Sequence, residues 1–265
     1  MNKKQWLSIC GDVVYRHDRE RMMCLSLAPL EKRESLLALL AFNHEISIIP
    51  ELASEPLLGE MRLQWWSDTI VAIYEGIKPD HPVAFGLACA IERYELSKNL
   101  FVQYMEMRSF DLLKTPPATL TELENYARET SGALHELMAE VLHVNPNLNI
   151  RAAARNAGTA WALSGLLLAI PFHASQGRSY LPADLREDGG VVAVAELAKR
   201  YIHEARSAHL QVPNALMPVM LPITLADYVL RKLARCGFDP HDGRVQRSGI
   251  GRLFGFYWKV ILKQY

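Results

Sequence analysis

The chain has 265 residues, half of them hydrophobic, and its 29 Lys+Arg balance 29 Asp+Glu to a formal net charge of zero. That length can bury a sizeable core, and the balance supplies no general pull toward nucleic acid or an acidic partner. Four cysteines, Cys10, Cys24, Cys89 and Cys236, lie far apart with no C-x-x-C pair, which argues against zinc and disulfide frameworks and predicts reduced thiols in a cytoplasmic protein.

From the N-terminus, two lysines and a short broken apolar run precede Asp12; this reads as neither a secretory signal nor a transit peptide. Prolines at 29, 50, 56, 79, 82, 116, 117, 146, 182, 213 and 240 fall between helical patterns and punctuate about eight to ten helices. Leu63, Trp66, Ile70 and Ile73 recur at helical spacing. So do Leu123, Ala127, Leu134, Leu137 and Val141, where only Thr130 interrupts the stripe. Thr121-Glu-Leu-Glu124 has the pattern of a capping box opening that second helix. Ala157 to Phe172 is apolar but shorter than the roughly 20 residues of a spanning helix and predicts a buried core helix. The β-branched runs Ile46–Ile49 and Val191–Val194 are too short to build a sheet. The expectation is one all-α domain over residues 1–265.

After Asp242 the chain is free of acid, and Arg244, Arg247, Arg252, Lys259 and Lys263 are interspersed with Phe254, Phe256, Tyr257 and Trp258. Two readings stay open for this end. It is a membrane-surface segment, with Arg252, Phe256, Trp258 and Lys259 as its contacts, or a closing core helix with a solvated basic face.

Several motifs together resemble one family. Ala41-Phe42-Asn43, Leu58-Gly-Glu-Met-Arg62-Leu-Gln-Trp-Trp66, Asp111-Leu112, Tyr126 with Ser131-Gly132, and Gly177-Arg-Ser-Tyr-Leu-Pro182-Ala-Asp184 occur in the order seen in squalene and phytoene synthases, over about four fifths of the chain. The resemblance implies the isoprenoid-synthase fold: a helical bundle around an apolar cavity with two aspartate-rich helices at its mouth. It also implies head-to-head joining of prenyl diphosphates with Mg2+. Carboxylates four apart on a helix share a face and grip such an ion, and the metal stabilises the leaving diphosphate.

Here the chain departs from the pattern it resembles. Aligning the first acidic motif puts Ser47 and Glu51 at its outer aspartate positions, with Pro50 beside Glu51 to break the helix. Glu45 and Glu51, six apart, point to different faces. At the second motif, Ala169, Phe172 and His173 stand in place of acids, and no Asp or Glu occurs from Val141 to Ala183. The expectation is a chain without metal or other cofactor. Mg2+ belongs to the alternative, an active prenyltransferase joining prenyl diphosphates.

The other candidate cavity-mouth residues each carry two readings. Arg62 binds an anionic head group or pairs with Glu60 or Asp68. Arg178 and Tyr180 close the mouth or fix the chain's exit from a helix. Asp111 and Asp184 line the mouth or act as cap and turn residues. His173 is a structural histidine rather than a ligand. Trp65 and Trp66 belong to the core, one ring facing the cavity. Within the family the resemblance is greatest to the branch that includes the mitochondrial assembly factor for respiratory complex I. That kinship implies a non-catalytic protein holding a respiratory-complex subunit or an isoprenoid lipid, cytoplasmic or peripheral on the inner face of a membrane. A simple isoprenoid or quinone binder is the third reading.

Overall fold

A helix buried on every side has to have its few polar groups paired, and Ala133-Leu-His-Glu-Leu-Met-Ala-Glu-Val-Leu142 is the organising case. All ten of its residues are buried. The computed structural model describes residues 3–53, 55–143, 145–185, 187–208, 211–246 and 265. Among the described residues there are fifteen α-helical segments, ten of them eight residues or longer, and no strand. In chain order they are α1 (Lys3–His17), α2 (Arg19–Leu25), α3 (Leu30–Ser47), α4 (Ile49–Leu52), α5 (Pro56–Tyr74), α6 (Pro82–Tyr94), α7 (Lys98–Arg108) and α8 (Leu120–Ala127). They continue as α9 (Ala133–Leu142), α10 (Leu148–Leu168), α11 (Ile170–Ser175), α12 (Glu187–Ser207), α13 (Met217–Met220), α14 (Pro222–Arg235) and α15 (Gly243–Gln246). The all-α expectation holds.

α9 is sandwiched between α3 and α10. α3 packs in turn on α1 and α6, and α10 on α12 and α14. On α3, Leu36, Leu39, Leu40, Phe42 and Ile46 are fully enclosed, each such side chain contributing roughly 1.5–3 kcal/mol by burial. Phe42 anchors an aromatic cluster, its ring centroid 5.4 Å from Trp66, 5.7 Å from Phe101 and 5.3 Å from Tyr104. This cluster ties α3 to α5 and α7. The stretch Leu30–Leu52 is apolar and long enough by composition to cross a membrane; here its helix breaks at Ile48, next to Pro50, and α3 serves as a core helix.

The carboxylates of α9 are paired rather than solvated. Arg151 donates to Glu140 at 2.5 Å and Glu136 at 3.2 Å, and Arg155 donates to Glu136 at 2.8 Å. Glu140 also accepts from the Ser97 backbone amide at 2.9 Å, holding the start of α7. α10 approaches α9 so closely that a Cβ on Gly158 would lie 2.3 Å from the Ser131 carbonyl oxygen and 2.7 Å from His135 Nδ1. Glycine is required there by space.

The stripe from Leu123 to Val141 is buried as expected, but it runs through two helices joined by a π-turn at Arg128–Gly132. Thr130 does not interrupt it; the side chain is buried and its hydroxyl donates to the Tyr126 carbonyl at 2.6 Å. The capping box is displaced by two residues. Thr119 accepts from the Glu122 amide at 3.2 Å and the Glu122 carboxylate accepts from the Ala118 amide at 2.7 Å. Glu124 is thereby free to bind Arg200 at 2.6 Å and the Tyr201 hydroxyl. Ala157–Phe172 forms the second half of α10, buried on one face, and then α11.

Candidate functional site

The mouth of the bundle is assembled from five places in the chain: the last turns of α3, the short α4, the end of α7 with the 3-10 turn Ser109–Leu112, α8, and the loop after α11. Gly177 at φ +68° ends α11, with the Arg178 amide bonded to the His173 carbonyl at 2.9 Å. This left-handed residue turns the chain sharply, so that Arg178 and Tyr180 return toward the bundle.

Asp111 is the centre of what results. It is only 4% exposed. Its Oδ1 accepts from the hydroxyls of Tyr126 at 2.7 Å and Tyr180 at 2.8 Å, and its Oδ2 accepts from Arg108 Nη1 at 2.9 Å. Arg108 also donates to the Tyr126 hydroxyl at 3.0 Å and to Asn43 Oδ1 at 3.2 Å, and Tyr104 donates to the same Asn43 oxygen at 3.0 Å. Burial alone would lower the Arg108 pKa, but Tyr104, Tyr126 and Asp111 outweigh it and hold the guanidinium charged. Burial, reinforced by the Asp111 carboxylate, pushes the Tyr180 phenol well up. The ensemble is one anion, one cation and three neutral phenols, closed on itself. Within this cluster Arg108 Nε is buried without a hydrogen-bond partner among the described residues.

His173 packs against Tyr180 with ring centroids 4.8 Å apart, and burial lowers its pKa, so it is a neutral ring against this cluster. Arg178 donates to the Pro50 carbonyl at 2.8 Å, fastening the loop to α4. With Glu51, Glu55, Lys114 and Gln176 it lines a small polar cleft of about 250 Å³. Asp111, His173, Tyr180, and across the cleft Arg178 and Glu51, are therefore gathered at the mouth.

The remaining candidates lie elsewhere. Glu45 faces α1, where its charge adds to burial in pushing the Cys10 thiol up to about 12. Arg62 is exposed on α5 without an ion pair among the described residues, and Asp68 accepts from Gln64 at 2.8 Å instead. Asp184 is exposed, its backbone amide bonded to the Ala118 carbonyl at 3.2 Å. Trp66 is core but Trp65 is 46% exposed, edge-on to Trp66 and His81. Arg252, Phe256, Trp258 and Lys259 lie outside the described residues.

The fold would place Mg2+ at this mouth, and the residues present do not fit it. Mg2+ takes near-octahedral oxygen from carboxylates, water and phosphates. Ser47 spends its hydroxyl on the His44 carbonyl at 2.9 Å, Asp111 already accepts three hydrogen bonds, and Glu51 shares its cleft with Lys114 and Arg178. Among the described residues no three His, Cys, Asp or Glu side chains converge in a way that would hold a metal ion. What the arrangement does chemically is seal and cross-link the mouth. Of its members, Tyr104 and Arg108 were not singled out from the sequence; their signal was the i, i+4 spacing to one another and the i, i+3 spacing of Arg108 to Asp111.

The squalene/phytoene synthase family description matches residues 14–193. The chain belongs to that family. Its relatives include NADH dehydrogenase (ubiquinone) complex I, assembly factor 6, from Bos taurus, 32% identical over 97% of this chain and 82% of the relative. The Homo sapiens protein of that name is 31% identical over 90% and 77%. A presqualene diphosphate synthase from Zymomonas mobilis is 27% identical over 63% and 57%. Among solved structures, a dehydrosqualene synthase superimposes with a TM-score of 0.83 at 17% identity, covering 99% of this chain and 98% of the other. A squalene synthase from Alicyclobacillus acidocaldarius gives 0.78 at 18% identity, over 90% and 96%. These likenesses establish the isoprenoid-synthase fold.

Proposed function

We propose that this member of the squalene/phytoene synthase family is a non-catalytic assembly factor for the respiratory NADH dehydrogenase, working without Mg2+ by holding a subunit of that complex, and acting at the membrane that carries it. One observation carries the reading: Asp111 at the mouth is committed to Arg108, Tyr126 and Tyr180, while the first metal motif keeps only Glu51, beside Pro50 and in a cleft shared with Lys114 and Arg178, with Ser47 at its other end, and the second holds Ala169, Phe172 and His173. A site that has to release and rebind a diphosphate needs unspent carboxylates; this one has turned its carboxylate into a structural bolt. The likeness to the Bos taurus assembly factor, which spans 97% of this chain, supports the same reading.

The test is deletion in the host. Assembled NADH dehydrogenase on native gels is expected to fall while carotenoid and hopanoid content is unchanged; a normal level of the complex refutes the proposal. The kinship to presqualene diphosphate and phytoene synthases favours one rival, an active prenyltransferase, and loss of such products on deletion is its signature. Copurified isoprenoid, identified by mass spectrometry, would make the held partner a lipid rather than a subunit.

A further inference from the structure

A further cavity lies away from the mouth. It is a groove of about 590 Å³ between α5 and α7, floored by Leu63, Ile70, Phe101, Met105 and Leu112. Val71 and Val102 stand exposed on its two walls. Among the described residues its ionisable lining consists of Glu60 and Glu106, with no lysine or arginine. Gln64, also in the lining, holds the carboxylate of Asp68 at 2.8 Å, which puts a second negative group beside Glu60 on the α5 rim. Lys98, at the far end of α7, is turned onto the Tyr74 ring at 5.6 Å.

Beside the groove, α5 does not turn polar as a surface helix should. Leu57, Met61 and Trp65, one turn apart along the adjoining face, are 61%, 61% and 46% exposed. Groove and stripe together form an apolar strip interrupted by Gln64 and Asp68, with carboxylates set along it and Arg62 exposed at its outer edge beyond Met61 and Trp65. From Glu60 to Val71 the strip is about 17 Å long at 1.5 Å per residue, roughly three turns of a docked helix.

We propose that this surface seats an amphipathic helix of a partner protein, with an apolar face in the groove and lysines or arginines along its flanks. The inference rests on the assembly reading above and names the kind of segment held. The charge decides the class of occupant. Phosphate-bearing prenyl chains and anionic lipids would meet Glu60 and Glu106, whereas a basic-flanked helix has its apolar residues buried and its charges matched. The open walls at Val71 and Val102 leave room for a helix; a lipid-chain site would enclose most of its ligand.

The test uses the purified full chain and two fluorescein-labelled helical peptides with one leucine face, flanked by lysine in one and by glutamate in the other. The lysine peptide is expected to bind about tenfold or more tightly than its glutamate twin, and the double variant E60K/E106K is expected to invert that order. Ser67→Trp, which fills the groove without changing charge, is expected to abolish binding of the lysine peptide; far-UV circular dichroism checks that each variant is folded. Equal affinity for the two peptides, or binding that survives Ser67→Trp, overturns the proposal. So does binding of phosphatidylcholine vesicles, or self-association in sedimentation, that Ser67→Trp abolishes while the lysine peptide does not bind. Because the assay contains no respiratory complex, its failure leaves the assembly reading standing, and a normal complex level after deletion leaves the peptide result standing.

Discussion

Asp111 and Arg108 are a buried ion pair whose worth lies in staying paired. Taking two charges out of water is costly, and removing one partner strands the other. Asp111→Asn is therefore expected to destabilise the protein by about 3–5 kcal/mol in urea unfolding, whereas Tyr180→Phe, which removes one neutral donor to the same carboxylate, should cost about 1 kcal/mol. Similar losses for the two variants would mean that the network is not organised around the charge. A second residue-scale expectation concerns His135, whose ring is fully buried on α9 with Nδ1 against the Ser131 carbonyl at 2.9 Å. Burial, with a smaller contribution from Arg21, lowers its pKa to about 3. An unfolded histidine titrates near 6.5, so between these values the unfolded chain binds the extra proton. Stability from this residue is complete above about pH 6.5 and is lost as pH falls toward 3, by about 1.4 kcal/mol per pH unit. His135→Gln should flatten that part of the stability–pH curve, and an unchanged slope would contradict it.

Two element junctions depend on glycine for different reasons. At Gly158 the constraint is space between α10 and the π-turn before α9, and the obstructing atom is a backbone oxygen that cannot swing away. Gly158→Ala is expected to cost about 1–3 kcal/mol through overpacking, read as a fall in urea midpoint without a change in slope. At Gly177 the constraint is the left-handed backbone, with open space around the missing Cβ. At this scale much was legible from sequence: the stripes of α5, α8 and α9 and the proline breaks came through because periodicity and missing N–H groups act locally. The capping box was read two residues late because Thr119 and Thr121 offer the same chemistry, and only the tertiary engagement of Glu124 by Arg200 and Tyr201 separates them. Trp65 was read as core because composition cannot tell a buried ring from one left on a surface that a partner would cover.

For the molecule as a whole, the family's two acidic motifs could be searched for along the chain, and their loss was readable there. What replaced them was not. The closed network needs Asn43, Tyr104, Arg108, Asp111, Tyr126 and Tyr180 to meet from four separated segments, and the groove between α5 and α7 exists only once those helices are packed. The fold keeps the bundle of a synthase, and the binding surface proposed above is a carboxylate-rimmed side wall rather than the mouth. This is the physical basis for treating the chain as a holder rather than a catalyst.

The most direct measurement incubates the purified protein with Mg2+ and farnesyl or geranylgeranyl diphosphate and follows head-to-head products by mass spectrometry. No product above the protein-free control is expected. Multiple-turnover formation of a presqualene, squalene or phytoene product would contradict the account at its centre.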